Sequence, residues 1–453
     1  MFIGRENEIK EIKEFLKTES GCMMVYGKRK VGKTTLILHA LDRAEQKYVY
    51  YECIKSSLNE NIQGLTEELI REKIIPATIS FKNIIDLFEY LNTLSKKINI
   101  VIDEYPYLKA YEKSETVDSI FQKIIDNHTS NIHMFLSGSH VGMMKDMLKE
   151  KNALYGRFTK VIQLKELNYI ETANFYPKKS VYDKIAHYSV FGGSPYINQF
   201  VNEKFTLKEN IIETVLNPSS PVANYVDNLL ISDFTNNINA SRIFSVLSNG
   251  KKKYKEIEEK LGIESNGGLS KQLNVLLDMD FVKKISPINR PDDKKKAKYE
   301  MQDNLLRFYY AYVYKRKSTL QIIGASAFYD EYIEPSIITF ISHRFEEIAR
   351  EYFSIKTKQG KLKGINNIGT YYYDDSQNKT SGEFDVVLQR KDTFDFYEVK
   401  YYKEKMSLSE MKQEESQVRA ISDMIIGKIG FICTGGYEQT EDYDCIEIEK
   451  LYE

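Results

Sequence analysis

Gly27-Lys28-Arg29-Lys30-Val31-Gly32-Lys33-Thr34 is the stretch on which the reading of this chain turns. It has the spacing G-x4-G-K-[ST], and its flanks suit it. The apolar run Cys22-Met23-Met24-Val25-Tyr26 precedes it, and a helical-period segment from Thr34 to Ala44 follows. A strand that turns through glycines into a helix aims backbone N–H groups and the positive end of the helix dipole at an anion. In that geometry Lys33 meets the β- and γ-phosphates of a nucleotide and the Thr34 hydroxyl ligates Mg²⁺. Gly27, Lys28, Arg29, Lys30, Val31, Gly32, Lys33, Thr34 and Thr35 form the expected cradle, with ATP and Mg²⁺ as its ligands.

Further apolar runs follow the same rhythm: Tyr48 to Tyr51, Ile98 to Ile102, Ile132 to Leu136, and Val161-Ile162. Continuous apolar runs separated by helical segments describe parallel strands covered on both faces, hence an α/β sheet with helices on each side. The run Ile98-Asn99-Ile100-Val101-Ile102 ends in Asp103-Glu104. Two acids at a strand tip beside a phosphate loop suit Asp103 for holding Mg²⁺ through its water shell. Glu104 then orients or deprotonates the attacking water.

The chain has 453 residues, 42% apolar and 28% charged, enough for about three domains of ordinary size. Neither a signal-peptide layout nor a run of about 20 apolar residues occurs, so the expected location is the cytoplasm, without a membrane partner. Cys22, Cys53, Cys433 and Cys445 lack metal-ligand spacing and read as reduced thiols in cores. The net charge is −1, but Ser241 to Glu300 holds fourteen Lys or Arg against nine Asp or Glu. Such a local basic excess suits a surface that faces phosphates, or a solvated lysine-rich face.

These residues resemble the AAA+ ATPases, and more closely the prokaryotic branch called archaeal-type ATPases, over roughly residues 1 to 230. Phe2-Ile3-Gly4-Arg5-Glu6-x-Glu8 looks like that branch's opening motif, which in AAA+ proteins lies near the adenine. Leu136-Ser137-Gly138-Ser139 looks like its sensor-1 segment, which implies that Ser137, or else Ser139, senses the γ-phosphate. Tyr155-Gly156-Arg157-Phe158 stands where AAA+ proteins place an arginine that reaches a neighbouring subunit's γ-phosphate. The resemblance therefore implies a catalytic Arg157 and a homo-oligomer, at least with nucleotide bound. Phe191-Gly192-Gly193-Ser194-Pro195 resembles the G-G-x-P turn of the branch's helical lid, here without an obvious sensor-2 arginine.

In the basic block, Ile243 and Leu247 share one helical face, Tyr254-x-x-Ile257-x-x-x-Leu261-Gly262 reads as a second helix, and Leu269 to Leu277 as a third. Phe281 to Ile285 and Ala297 to Met301 read as a strand pair joined through Lys294-Lys295-Lys296. Three helices and a β-wing make a winged helix. Ser270, Lys271, Gln272 and Asn274 then face a major groove, while Lys251 to Lys253 and the wing lysines meet phosphates, with DNA as the expected partner.

Near the C-terminus, Gly382 to Leu388 and Phe396 to Lys400 read as strands. Period two places Glu398 and Lys400 on one face, with Asp385 approaching from the neighbouring strand. Two carboxylates as metal ligands and one lysine are parts of a phosphodiester hydrolase, with Glu346, or equally Glu347, as a further acid. The set resembles the PD-(D/E)xK, or restriction-endonuclease-like, core. The expected domains are a P-loop core over 1–165, a helical lid over 166–235, a winged helix over 236–305 and an α/β nuclease-like domain over 306–453. They describe an ATPase acting on DNA, or alternatively an ATP-operated switch or scaffold whose C-terminal domain is inactive.

Overall fold

The computed structural model describes residues 2–453 except 128, 227–239, 264–266, 376–379, 422–423 and 439. The expected boundary between lid and winged helix, at 235/236, lies outside the described residues. The chain separates into two compact units, residues 1–167 with 278–280, and residues 168–277 with 281–453.

Unit 1 is built on strands β1 (Gly21–Tyr26), β2 (Tyr48–Glu52), β3 (Ile98–Asp103), β4 (Ile132–Gly138) and β5 (Lys160–Gln163). All are parallel, in the order β2-β3-β4-β1-β5. Strand alternation divides the core in two. Cys22, Met24, Ile98, Ile100, Ile102, Ile132, Met134 and Leu136 pack on one face. Met23, Val25, Val101 and Phe135 pack on the other, against Leu36, Ile37, Ala40 and Leu41 of the helix Lys33–Arg43. Because side chains alternate, Tyr50, Asp103 and Ser137 share the face covered by that helix.

Unit 2 begins with helices Tyr169–Thr172, Val181–Phe191, Pro195–Asn198 and Leu207–Ile211. Gly192 (φ 66°) ends the second of them in the expected turn. The basic block supplies helices Ala240–Leu247, Tyr254–Leu261 and Gly268–Asp278. With them stand β6 (Lys252–Lys253), β7 (Val282–Ile285) and β8 (Lys298–Met301), antiparallel in the order β6-β8-β7. Gly262 (φ 62°) stops the second helix as its position predicts.

The C-terminal sheet orders β13 (Asp444–Cys445), β12 (Ile426–Cys433), β11 (Phe394–Lys400), β10 (Thr380–Gln389) and β9 (Asn367–Asp375), with β9, β10 and β11 antiparallel and β11, β12 and β13 parallel. Along the long helix Ile337–Lys358, Ile341, Phe345, Ile348, Ala349 and Phe353 are buried at helical spacing. Phe353 meets Tyr397 with ring centroids 4.5 Å apart. Each such buried phenylalanine contributes roughly 2–3 kcal/mol. No helix among the described residues is long and apolar enough to cross a membrane.

Candidate functional site

The loop after β1 is shaped by close backbone approach. A Cβ on Gly27 would lie 2.1 Å from the Leu164 carbonyl oxygen, so only glycine fits there. Lys30 (φ 64°) and Gly32 (φ 93°) turn the chain through left-handed conformations into the helix Lys33–Arg43. Lys33 is buried, and its Nζ donates to the carbonyls of Gly27 and Lys28, both at 3.1 Å. The ammonium thus sits within the loop. Arg5 ties the N-terminal motif to this loop by donating to Val31 O (3.3 Å) and Lys165 O (2.6 Å). Phe2 stacks on His39 with centroids 4.0 Å apart. Thr35 is exposed at the start of the helix.

At the centre lies Asp103, 3% exposed, its carboxylate held from both sides. Thr34 Oγ1 donates to Oδ2 and Ser137 Oγ to Oδ1. Tyr50 OH adds a bond to Oδ2 (3.2 Å) and the Glu104 N–H one to Oδ1 (3.0 Å). The tip of β3, the phosphate loop and the end of β4 therefore converge on one carboxylate. Burial first, then the Asp103 charge, pushes the pKa of the Tyr50 hydroxyl up. Glu104 occupies a left-handed conformation (φ 50°, ψ 44°), the sort of strained position that clusters at functional sites. Its Oε2 accepts from Ser139 N (3.1 Å) and Ser139 Oγ (2.9 Å). The two serines weighed for one role thus have two partners: Ser137 bonds Asp103, and Ser139 bonds Glu104. Arg157 stands apart, paired with Asp126 through Nε at 3.0 and 3.1 Å and Nη2 at 3.1 Å.

Sequence reasoning missed Tyr50, and also a bond from Arg29 Nη2 to Tyr107 OH (3.2 Å) that links the phosphate loop to the segment after Glu104. The parity of β2 carried the signal for Tyr50. Its pairing with β3 sets Tyr50 beside Val101 and Glu52 beside Asp103.

In unit 2 the residues of the expected second cluster lie on neighbouring strands, and a residue that the sequence assigned elsewhere pairs with Asp385. Val386 pairs with Tyr397, a register that brings Asp385 towards Glu398. Lys400 Nζ lies 2.7 Å from Glu398 and 3.1 Å from Glu414. Burial, with the charges of Glu414 and Asp385 adding to it, raises the Glu398 pKa against the pull of Lys400. The correction is Lys251. Expected to meet phosphates, its ammonium turns inward, 2.5 Å from Asp385 Oδ1 and 3.7 Å from Glu346 Oε2. Burial alone would raise the Asp385 pKa; Lys251 and Arg350 hold it below its ordinary value.

Of the two acids weighed, Glu346 thus lies beside the Lys251–Asp385 pair. Glu347 is committed to Arg344 (2.7 Å) and Lys283. Of the wing lysines, Lys298 pairs with Glu383, and Lys296 covers the Tyr372 ring at 3.9 Å. Lys251, Lys283 and Lys298 of the basic block therefore pair with acids of the C-terminal segment. Among the described residues, no group of three or more His, Cys, Asp or Glu side chains is placed to hold a metal ion.

A family model described as an ATPase domain predominantly from Archaea matches residues 2–198. A second, described as archaeal and bacterial proteins of unknown function, matches residues 309–417. The uncharacterized protein MJECL04 of Methanocaldococcus jannaschii is 28% identical over 366 residues, covering 80% of this chain and 79% of that protein. Among solved structures, the Walker-type ATPase PABY2304 of Pyrococcus abyssi shares the fold, with a TM-score of 0.51 and 16% identity over 68% of this chain and 96% of its own. The ORC2 protein of Aeropyrum pernix, solved in ADPNP–ADP complexes, gives a TM-score of 0.45 and 11% identity over 70% of this chain and 95% of its own. The chain carries an archaeal-type ATPase domain followed by a C-terminal segment of the second family, and it is an ATP-hydrolysing enzyme.

Proposed function

We propose that hydrolysis of Mg-ATP in unit 1 drives an action on DNA through the basic block of unit 2, read as a winged helix. The observation that carries this reading is the helix Gly268–Asp278. Leu269, Leu273 and Leu276 are buried, while Ser270, Lys271 and Asn274 are exposed on its polar side, the set a major groove would meet.

In unit 1, Lys33 exchanges the Gly27 and Lys28 carbonyls for the β- and γ-phosphate oxygens. Thr34 and Asp103 offer hard oxygen donors in a set too small for an all-protein cage, which suits Mg²⁺ bound with waters and phosphates. When bound, the ion neutralises charge on the phosphates. Glu104 leaves Ser139, orients a water and accepts its proton. The water oxygen bonds to the γ-phosphorus, the bond to the β–γ bridging oxygen breaks, and ADP departs. Ser137 holds Asp103 beside the γ-phosphate, and Arg157, released from Asp126, reaches the neighbouring subunit's nucleotide in a homo-oligomer.

In the C-terminal domain, read as restriction-endonuclease-like, Asp385 and Glu398 would hold a metal ion and Lys400 would steady the attacking water. Lys251 favours a second reading, a scaffold with an inactive C-terminal domain, because a cation already sits on Asp385. Fluorescence anisotropy on duplex DNA with a salt titration tests the leading reading. The expected result is a steep linear loss of log affinity with log salt, and weaker binding by Lys271→Glu. No binding at low salt would overturn it in favour of protein partners.

A further inference from the structure

We propose that Tyr50 is a positioning residue of the ATPase centre, whose hydroxyl fixes the orientation of the Asp103 carboxylate. The proposal rests on the reading of Asp103 as the acid that holds the nucleotide's metal ion, and adds a residue that neither the phosphate-loop motif nor the acid pair contains.

Three observations converge. Tyr50 lies on β2, outside the phosphate loop, the acid strand and the sensor segment. In the parallel register it stands two residues behind Glu52, the partner of Asp103, an offset of about 6.6 Å at the usual rise, which needs a side chain as long as tyrosine. Its ring packs on the same core as the helix Lys33–Arg43, and its hydroxyl reaches Asp103 Oδ2 at 3.2 Å, the oxygen that also accepts from Thr34.

The distribution of donors explains the need. Oδ1 is fixed by Ser137 and by the Glu104 N–H, one of them backbone. Among the described residues the other partner of Oδ2 is Thr34, whose hydroxyl oxygen must also face the metal ion. Tyr50 is therefore the donor that holds Oδ2 in place from outside the coordination sphere. Carboxylates at metal sites are commonly oriented by such bonds, and losing one typically costs 10- to 100-fold in metal affinity.

The test compares binding of a fluorescent ATP analogue, with and without Mg²⁺, by the full chain carrying Tyr50→Phe, which keeps the ring and removes one oxygen. Metal-free affinity should stay within about twofold of wild type, while the gain on adding Mg²⁺ falls by about tenfold. The Mg²⁺ concentration for half-maximal hydrolysis should rise to match, with KM for Mg-ATP nearly unchanged once Mg²⁺ saturates. An unaltered Mg²⁺-dependent gain overturns the proposal. So does an equal loss with and without metal, which would mean that the hydroxyl merely braces the sheet. Asp103→Asn separates the two readings. If it also leaves the gain intact, Asp103 is not the metal-holding acid. If it abolishes the gain while Tyr50→Phe does not, the role of Tyr50 alone fails.

Discussion

The Lys251 ammonium lies 2.5 Å from Asp385 Oδ1, joining the basic block to the carboxylate cluster of the C-terminal sheet. Removing Lys251 leaves an acid pair, Asp385 and Glu346, without its nearest cation, whereas removing both partners loses less. Lys251→Met should cost about 1–2 kcal/mol, a figure reduced for the part-exposure of Asp385. In a double-mutant cycle read by chemical denaturation, Lys251→Met with Asp385→Asn should recover part of that loss. Strict additivity would mean that the contact couples nothing. Under the nuclease reading, Asp385→Ala also abolishes Mg²⁺- or Mn²⁺-dependent cleavage of DNA while ATP turnover continues.

Two groups in unit 2, the part-buried Glu351 and the buried His187, predict opposing pH slopes. Burial first, then the Glu347 charge, pushes the Glu351 carboxyl up to about 7. The stability this contributes is present below the unfolded value near 4.3 and is lost as pH rises through about 7. Burial pulls the His187 imidazole down to about 4. Its Nδ1–H donates to the Asp183 carbonyl at 2.7 Å and its Nε2 accepts from Asn210 at 3.2 Å, which fits the neutral ring. That stabilisation is present above about 6.5 and is lost as pH falls through about 4. Glu351→Gln should therefore raise Tm at pH 8, by up to about 3 kcal/mol in stability, and change little at pH 4. It should also unmask the His187 slope between them. Equal Tm shifts at pH 4 and pH 8 would count against the Glu351 assignment.

Arg157 is held by Asp126 in unit 1, a pairing that action in trans must break. Once subunit exchange is verified, Arg157→Ala mixed with Lys33→Ala should regain part of the lost ATPase activity, because one interface combines an intact phosphate loop with an intact arginine. No recovery in phosphate release would remove support for an inter-subunit role.

The parts of the fold written in local patterns were legible in the sequence: five apolar runs became the parallel sheet, and Gly262 stopped its helix where expected. Asp103 was legible because strand tip and phosphate loop constrain each other. Tyr50 was readable only through parity, since it follows no motif and its meaning depends on which strand adjoins β3. Lys251 was misread because a lysine run says nothing about direction. Its acidic partners lie 95 and 134 positions further along the chain, so the choice between solvent, phosphate and carboxylate is made by tertiary packing alone. For the same reason sequence left Glu346 and Glu347 equal, and the network around Arg344 separates them.

The most direct measurement is ATP binding and phosphate release by Glu104→Gln beside Lys33→Ala. Glu104 and Ser139 form a contact apart from the Lys33 cradle, so the two substitutions should part company. Lys33→Ala should lose nucleotide affinity, whereas Glu104→Gln should bind ATP within about threefold of wild type and lose at least about a hundredfold in turnover, the size of a general-base contribution. Phosphate release by Glu104→Gln at the wild-type rate would contradict the account.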